Sequence, residues 1–234
     1  MRALGDPRVT AEPLDVEDED WARRSQADLQ PVRVRRIVVT PPWCAAFARD
    51  GASNGDILIV VVPSTGFGTG HHASTRLCLD LLQGIAVRGR TVLDIGTGSG
   101  VLAMATAGLA ARFVAAVDND ADAIDAAREN LALNGMGPSV HLECADFCSL
   151  EPAKADIVVA NLTGDLLRRA AADVVRHLSA GGDLILSGVL ADEQSAVVAA
   201  FESAGAKLQA VVAEDEWVGL RLRLPAEPVT DLPR

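Results

Sequence analysis

The sequence predicts an α/β protein built on a mostly parallel sheet. From residue 64 onward, short runs rich in Val, Ile and Leu alternate with helical stretches of about 10–15 residues, the spacing of βαβ units. Glycines close most of these runs, as strand-to-helix turns and helix ends require. The last two apolar runs are separated only by Glu214-Asp215-Glu216, which makes them an antiparallel hairpin.

Each element has its own reason. Residues 1–20 are polar and end in Glu17-Asp18-Glu19-Asp20, an acidic tail or linker remnant. Residues 21–29 form a short helix entered from Asp20 and stopped by Pro31. Residues 32–40, VRVRRIVVT, alternate and are β-branched, so they form a strand that Pro41-Pro42 ends. A turn at 51–55 leads to a buried strand at 57–62, closed by Pro63. Residues 21–62 thus form an N-terminal extension ahead of a main domain at 63–224. In that domain a helix over 74–85 presents Leu77, Leu81 and Leu82 on one face. A strand at 91–95, a helix at 101–111 and a strand at 113–117 follow. Asp120 caps a helix over 121–134, and Gly135 closes it. Strands at 140–144 and 157–160, a helix over 166–178 ended by Gly181-Gly182, a strand at 184–189 and a helix over 191–204 come next. The hairpin pairs 208–213 with 217–224, and residues 225–234, with three prolines, form a loose tail.

Composition narrows the function. Of 234 residues 49% are apolar and 23% charged, enough for a full globular core. No apolar run approaches the ~18 residues of a membrane span, and MRALGDPRVTAEP carries no apolar signal core. The formal charge of −11 disfavours a nucleic-acid partner and suits a basic protein. Aromatics at 3% offer no platform for stacked bases. Cys44, Cys78, Cys144 and Cys148 lack the spacing of a metal set and read as reduced thiols of a cytoplasmic protein.

The chemistry concentrates in VLDIGTGSG, residues 92–100, followed by Val117-Asp118. Glycines there let a ligand approach the backbone where a Cβ would collide. Asp118, about 20 residues beyond the turn, is placed to accept both hydroxyls of a ribose. The spacing G-x-G-x-G, with Asp94 just before it, puts negative charge where a pyrophosphate would be repelled. A nucleoside with a cationic tail fits better, and S-adenosyl-L-methionine carries an ammonium and a sulfonium. Asp146, after the third strand of the domain, or an amide beside it, is the candidate for the adenine amine; a solvated loop aspartate is the plainer reading. Upstream, residues 66–75, GFGTGHHAST, are loop chemistry in which Phe67 covers a ligand more readily than it fills a core. The His71-His72 pair has no acid or thiolate near it in sequence, so no metal is expected.

With both loops in view, the chain resembles the PrmA family, the methyltransferases of ribosomal protein L11. The resemblance rests on Pro63-Ser64-Thr65-Gly66, FGTGHHAST at 67–75, VLDIGTGSGVLA at 92–103, Asn161-Leu162-Thr163, LSGVL at 186–190 and Glu216-Trp217, with Asp20-Trp21 and Pro41-Pro42-Trp43 upstream. His71 stands where the family pattern has threonine, Ala73-Ser74 replace Pro-Thr, and Ser64 replaces a glycine. The resemblance implies a Rossmann-like, seven-stranded class I SAM-dependent methyltransferase fold with a C-terminal antiparallel hairpin. It implies cofactor contacts at Thr75, Gly96, Asp118 and Asn161, to which the loop and strand-end readings add Phe67, Thr69, Asp94, Gly98 and Asp146. Asn161, at the end of the fourth strand and across the crevice from the first, is the catalytic candidate. The family's N-terminal substrate-capture domain does not fit into the roughly 50 polar residues before the catalytic part, so a catalytic domain without it is expected.

The implied reaction is attack of a lysine amine of a basic protein, a ribosomal one by resemblance, on the sulfonium methyl. Positioning and water exclusion matter more than acid–base groups. Burial would keep the amine neutral, the Asn161 oxygen and a nearby carbonyl would aim its lone pair, and His71 or His72 would take up the proton. A methyltransferase for another protein or a small molecule is the rival reading. A nicotinamide-dependent oxidoreductase is the more distant one.

Overall fold

The computed structural model describes residues 29–63, 70–151 and 153–226. The expected tail at 1–20, the expected helix over 21–29 up to residue 28, the expected tail at 225–234 from residue 227 on, and Phe67 and Thr69 lie outside the described residues.

Among the described residues ten strands form two sheets. The smaller holds β1 (Val32–Val34), β2 (Ile37–Thr40) and β3 (Ile57–Val60) in the order β1-β2-β3. β1 and β2 are antiparallel, whereas β2 and β3 are parallel. The single strand expected over 32–40 is therefore a hairpin. Arg35 turns the chain at φ 49°, a conformation that glycine or asparagine usually signals. Its guanidinium reaches Asp80 at 2.6 Å, and the Arg36 N–H donates to Gln83 Oε1 at 3.1 Å, so the helix Ala73–Gln83 holds the turn.

The larger sheet holds β4 (Thr91–Ile95), β5 (Phe113–Asp118), β6 (Val140–Cys144), β7 (Ala155–Asn161), β8 (Leu178–Leu190), β9 (Lys207–Glu214) and β10 (Trp217–Arg223). Its order is β6-β5-β4-β7-β8-β10-β9. The first five are parallel, and β10 is antiparallel to both β8 and β9. This is the mostly parallel sheet with a terminal hairpin that the periodicity predicts. Strand order reverses between β4 and β7, where open α/β sheets carry their ligands.

Helices cover both faces. On one, Leu79, Leu82, Leu102 and Met104 pack with Ile37, Val39, Ile59 and Val61 of the small sheet into one buried cluster. On the other, Leu167, Val174, Val197 and Phe201 pack on Val158, Leu184 and Leu186. The expected helix over 166–178 is two short helices, Gly164–Arg169 and Ala171–Arg176, broken at Ala170. Gly181-Gly182 lie inside β8, where the register on β7 shifts, so the strand starts earlier than expected. The helix Ala45–Asp50 was not anticipated; six residues with no side-chain cap leave a weak pattern.

The small sheet is fastened through two asparagines of the helix Ala121–Leu133 and its C-cap. Asn134 accepts from the Val60 N–H at 2.8 Å and donates to the Val60 carbonyl at 2.6 Å, as a neighbouring strand would. The buried Asn130 accepts from the Val62 N–H at 2.9 Å and donates to the Ser99 carbonyl at 3.0 Å. One side chain thus links the strand leading to residues 63–72 with the glycine turn.

Candidate active site

A cavity of about 880 Å³ opens at the carboxyl ends of β4, β5, β6 and β7, within the ~300–1,000 Å³ typical of small-molecule pockets. Gly96, Gly98, Asp118, Asp146 and Asn161 all line it. Thr75 and Asp94 are almost fully buried, at 1% exposure each, and stand behind the lining.

The glycine turn leaves β4 and closes on β5: the Gly96 and Thr97 N–H groups both donate to the Val117 carbonyl, at 2.9 and 3.0 Å. Gly96 has φ 70°, and a Cβ on it would stand 2.5 Å from Leu162 Cδ2. Both facts require glycine there. The Gly98 N–H donates to Asp118 Oδ2 at 2.9 Å, and the Asp120 N–H donates to Oδ1 at 3.1 Å. Each carboxylate oxygen is fixed by one amide and keeps acceptor capacity for one hydroxyl more.

Asp94 sits under this turn. Its Oδ2 accepts from Thr97 Oγ1 at 2.8 Å, while Oδ1 has no hydrogen-bond partner among the described residues. Burial pushes the carboxyl up to about 7, with the nearby Asp118 charge adding to the rise; the Thr97 hydroxyl and the Ala103 backbone, which falls short of a well-formed bond, pull the other way. A buried acid with an unmatched oxygen is a site where a neighbouring cation is welcome. Together, the two pinned oxygens of Asp118, the open glycine turn and the unmatched Asp94 oxygen suit a nucleoside with a diol and a cationic tail.

The opposite wall comes from distant parts of the chain. Asn161 ends β7, and its Nδ2 donates to Thr75 Oγ1 at 3.4 Å, which leaves Oδ1 on the Gly188 side. Gly188 has φ 80°, and a Cβ there would stand 2.4 Å from the Leu162 carbonyl oxygen and 3.1 Å from Asn161 Oδ1. Two oxygen acceptors therefore pack against Gly188 in the cavity lining, where any side chain would collide with them. Leu162 is the common wall, with its side chain against Gly96 and its carbonyl against Gly188. His72 and Trp217 close this end with ring centroids 4.6 Å apart at 69°. His72 also caps the helix Ala73–Gln83: Nδ1 accepts from the Ser74 N–H at 3.2 Å and lies 2.7 Å from Ser74 Oγ. His71 turns away and sets Nε2 against the Gln30 carbonyl at 2.8 Å, which makes that nitrogen a donor. Neither contact leaves its nitrogen poised to take a proton from the cavity.

Gly188, Trp217 and Ser74 are lining residues that the sequence reading did not assign to the site. All three lie in segments quoted for the family resemblance, FGTGHHAST, LSGVL and Glu216-Trp217, so a signal was present without a position in space. Among the described residues no cluster of three or more His, Cys, Asp or Glu could hold a metal. No helix among them is long and apolar enough to cross a membrane.

Comparison with known proteins places this geometry. The family model described as ribosomal protein L11 methyltransferase (PrmA) matches residues 3–225. A ribosomal protein L11 methyltransferase of Geobacter sulfurreducens is 42% identical over 203 residues, covering 86% of this chain and 65% of that protein. One from Pelobacter propionicus is 38% identical over 217 residues, covering 90% of this chain and 69% of that protein. The chain thus spans about two thirds of these relatives' length. The crystal structure of a ribosomal protein L11 methylase from Lactobacillus delbrueckii subsp. bulgaricus superposes with TM-score 0.73 at 25% identity, covering 84% of this chain and 98% of that one. An RNA methyltransferase from Salinibacter ruber in complex with S-adenosyl-L-homocysteine shares the fold, with TM-score 0.52 at 18% identity over 67% of this chain and 95% of that one.

Proposed function

The chain belongs to the ribosomal protein L11 methyltransferase (PrmA) family, and on that premise we propose that it methylates lysine amines of ribosomal protein L11 from S-adenosyl-L-methionine. The observation that carries the reading is the pairing of Asp118 and Asn161 on opposite walls of one cavity at the switch point of the sheet.

The cofactor, when bound, supplies a methyl group on a cationic sulfur that leaves as a neutral thioether. The residues here supply position. Asp118, with its oxygens oriented by the Gly98 and Asp120 amides, takes the ribose diol. Gly96 and Gly98 admit the nucleoside against the backbone, and the buried Asp94 carboxyl beneath them would be drawn toward its ionised form by a bound cation. Asp146 and its loop receive the adenine. Thr75 accepts from Asn161 Nδ2 and so fixes which way the amide faces. Asn161 Oδ1 and the Leu162 carbonyl accept the two N–H bonds of a neutral amine, which turns its lone pair toward the methyl. Apolar walls disfavour the ammonium form, and the amine enters after giving its proton to solvent. No side-chain base is required by this geometry, and His71 Nε2 and His72 Nδ1 are engaged by Gln30 and Ser74.

The net charge of −11 supports a basic protein partner, and the reaction belongs in the cytoplasm with the ribosomal substrate. The test is to incubate the purified chain with methyl-labelled S-adenosyl-L-methionine and purified L11, then map the label by mass spectrometry. Label on L11 lysines is expected. Label on another protein or a small molecule of a host extract, with L11 unmodified, would overturn the assignment of the acceptor.

A further inference from the structure

The loop after β6 is supported by a side chain that lies outside the cavity and outside every motif quoted above. Ala145, Asp146, Phe147 and Cys148 of this loop line the cavity. Asp146 closes the turn from within: Oδ1 accepts from the Cys148 N–H at 3.0 Å, and Oδ2 lies 3.5 Å from the Ser149 hydroxyl. That turn sends three carbonyls toward the end of the helix Ala171–Arg176. Nη2 of Arg176 donates to all three, Phe147 O at 3.1 Å, Cys148 O at 2.5 Å and Leu150 O at 3.0 Å. Nη2 has two hydrogens, so at least one is shared between two oxygens. Asp173 Oδ1 lies 3.6 Å from Arg176 Nε and holds the guanidinium from behind. The buried His177 adds a contact from its Nε2 to Phe147 O at 3.1 Å; burial keeps its ring below the usual imidazole range, hence neutral with Nε2 as the donor.

Three carbonyl dipoles aimed at one point repel one another unless a cation sits there. Without it the loop keeps the turn around Asp146, the His177 contact and the Ala145 N–H bond to the Asp118 carbonyl, but nothing gathers the Cys148 and Leu150 carbonyls, and the shape that presents Asp146 and Phe147 to the cavity is loosened. We propose that Arg176 is a positioning residue for base recognition: its guanidinium holds residues 146–150 in the shape that meets the adenine ring. The inference rests on the reading above that puts the adenine at this end of the cavity.

Calorimetry with S-adenosylhomocysteine and S-inosylhomocysteine, which differ at the exocyclic amine, tests it on the full chain. Arg176→Met is expected to weaken S-adenosylhomocysteine by about ten-fold and to bring the ratio of the two affinities toward one. Arg176→Lys restores part of the ratio, because an ammonium keeps the charge and loses the planar fork; it also carries the comparison if Arg176→Met fails to fold. A lowered unfolding midpoint with an unchanged ratio would make Arg176 merely structural and overturn the proposal. Phe147→Ala separates the two layers of the argument. If Phe147→Ala weakens the adenine ligand while the Arg176 variants do not, the clamp is wrong and the adenine placement stands. If neither position alters either affinity, the adenine placement itself is wrong.

Discussion

The two ends of the cavity are built by different means. At the glycine end, the turn and Asp118 come from about two dozen consecutive residues, and main-chain amides hold nearly everything in place. At the Asn161 end, His72, Asn161, Leu162, Gly188 and Trp217 arrive from four separate stretches of chain, and side chains orient one another. A local, backbone-held end tolerates little change of geometry and suits a fixed ligand. A nonlocal, side-chain-held end can be altered one contact at a time and suits the acceptor. On the proposed function, the first end would govern affinity for the cofactor and the second the rate of transfer.

The largest effect should break the rate without the affinity. Asn161→Ala is expected to cut single-turnover methyl transfer by about 100-fold, while S-adenosylhomocysteine affinity by calorimetry moves only a few-fold; equal losses would erase the distinction between the ends. Gly188→Ala forces a side chain into the left-handed region and onto the Leu162 carbonyl, at a cost of roughly 2–3 kcal/mol in urea unfolding. Transfer should fall further than stability alone explains, because the carbonyl must move. Asp118→Ala tests the other end: cofactor binding should weaken by about 1–3 kcal/mol, and the rate at saturating cofactor should stay close to wild type. The smallest effect is a slope with pH. Burial holds the Asp94 carboxyl protonated up to about 7, well above the 3.8 of an ordinary aspartate. Between those values the folded chain binds more protons than the unfolded one, so stability without cofactor falls as pH rises toward 7 and this contribution levels off above it. Asp94→Asn should flatten that part of the urea-midpoint profile, and an unchanged slope would deny Asp94 its raised affinity for a proton.

The same contrast explains what was legible before the structure. β4, β5 and β6 and the turn between the first two were readable because their signals are contiguous: an apolar run, then glycines, then an acid. Asn161 was placed by its position at a strand end and by resemblance. Trp217 and Gly188 were visible in quoted segments, yet only the antiparallel return of β10 beside β8 brings them to the cavity. Thr75, a cofactor contact by resemblance, stands behind the cavity lining and meets it through Asn161. The hairpin at Arg35 was missed because the strain of its left-handed φ is met by Asp80 and Gln83, far off in sequence. The helix break at Ala170 has no Pro or Gly to announce it.

Leu162 belongs to both ends at once. Its methyl groups press on the turn that would hold the sugar, and its oxygen faces the gap where an amine would enter. Seating a nucleoside against that turn would push on the same residue that aims the acceptor. A substitution at that single leucine would therefore be felt at the sugar and at the amine alike.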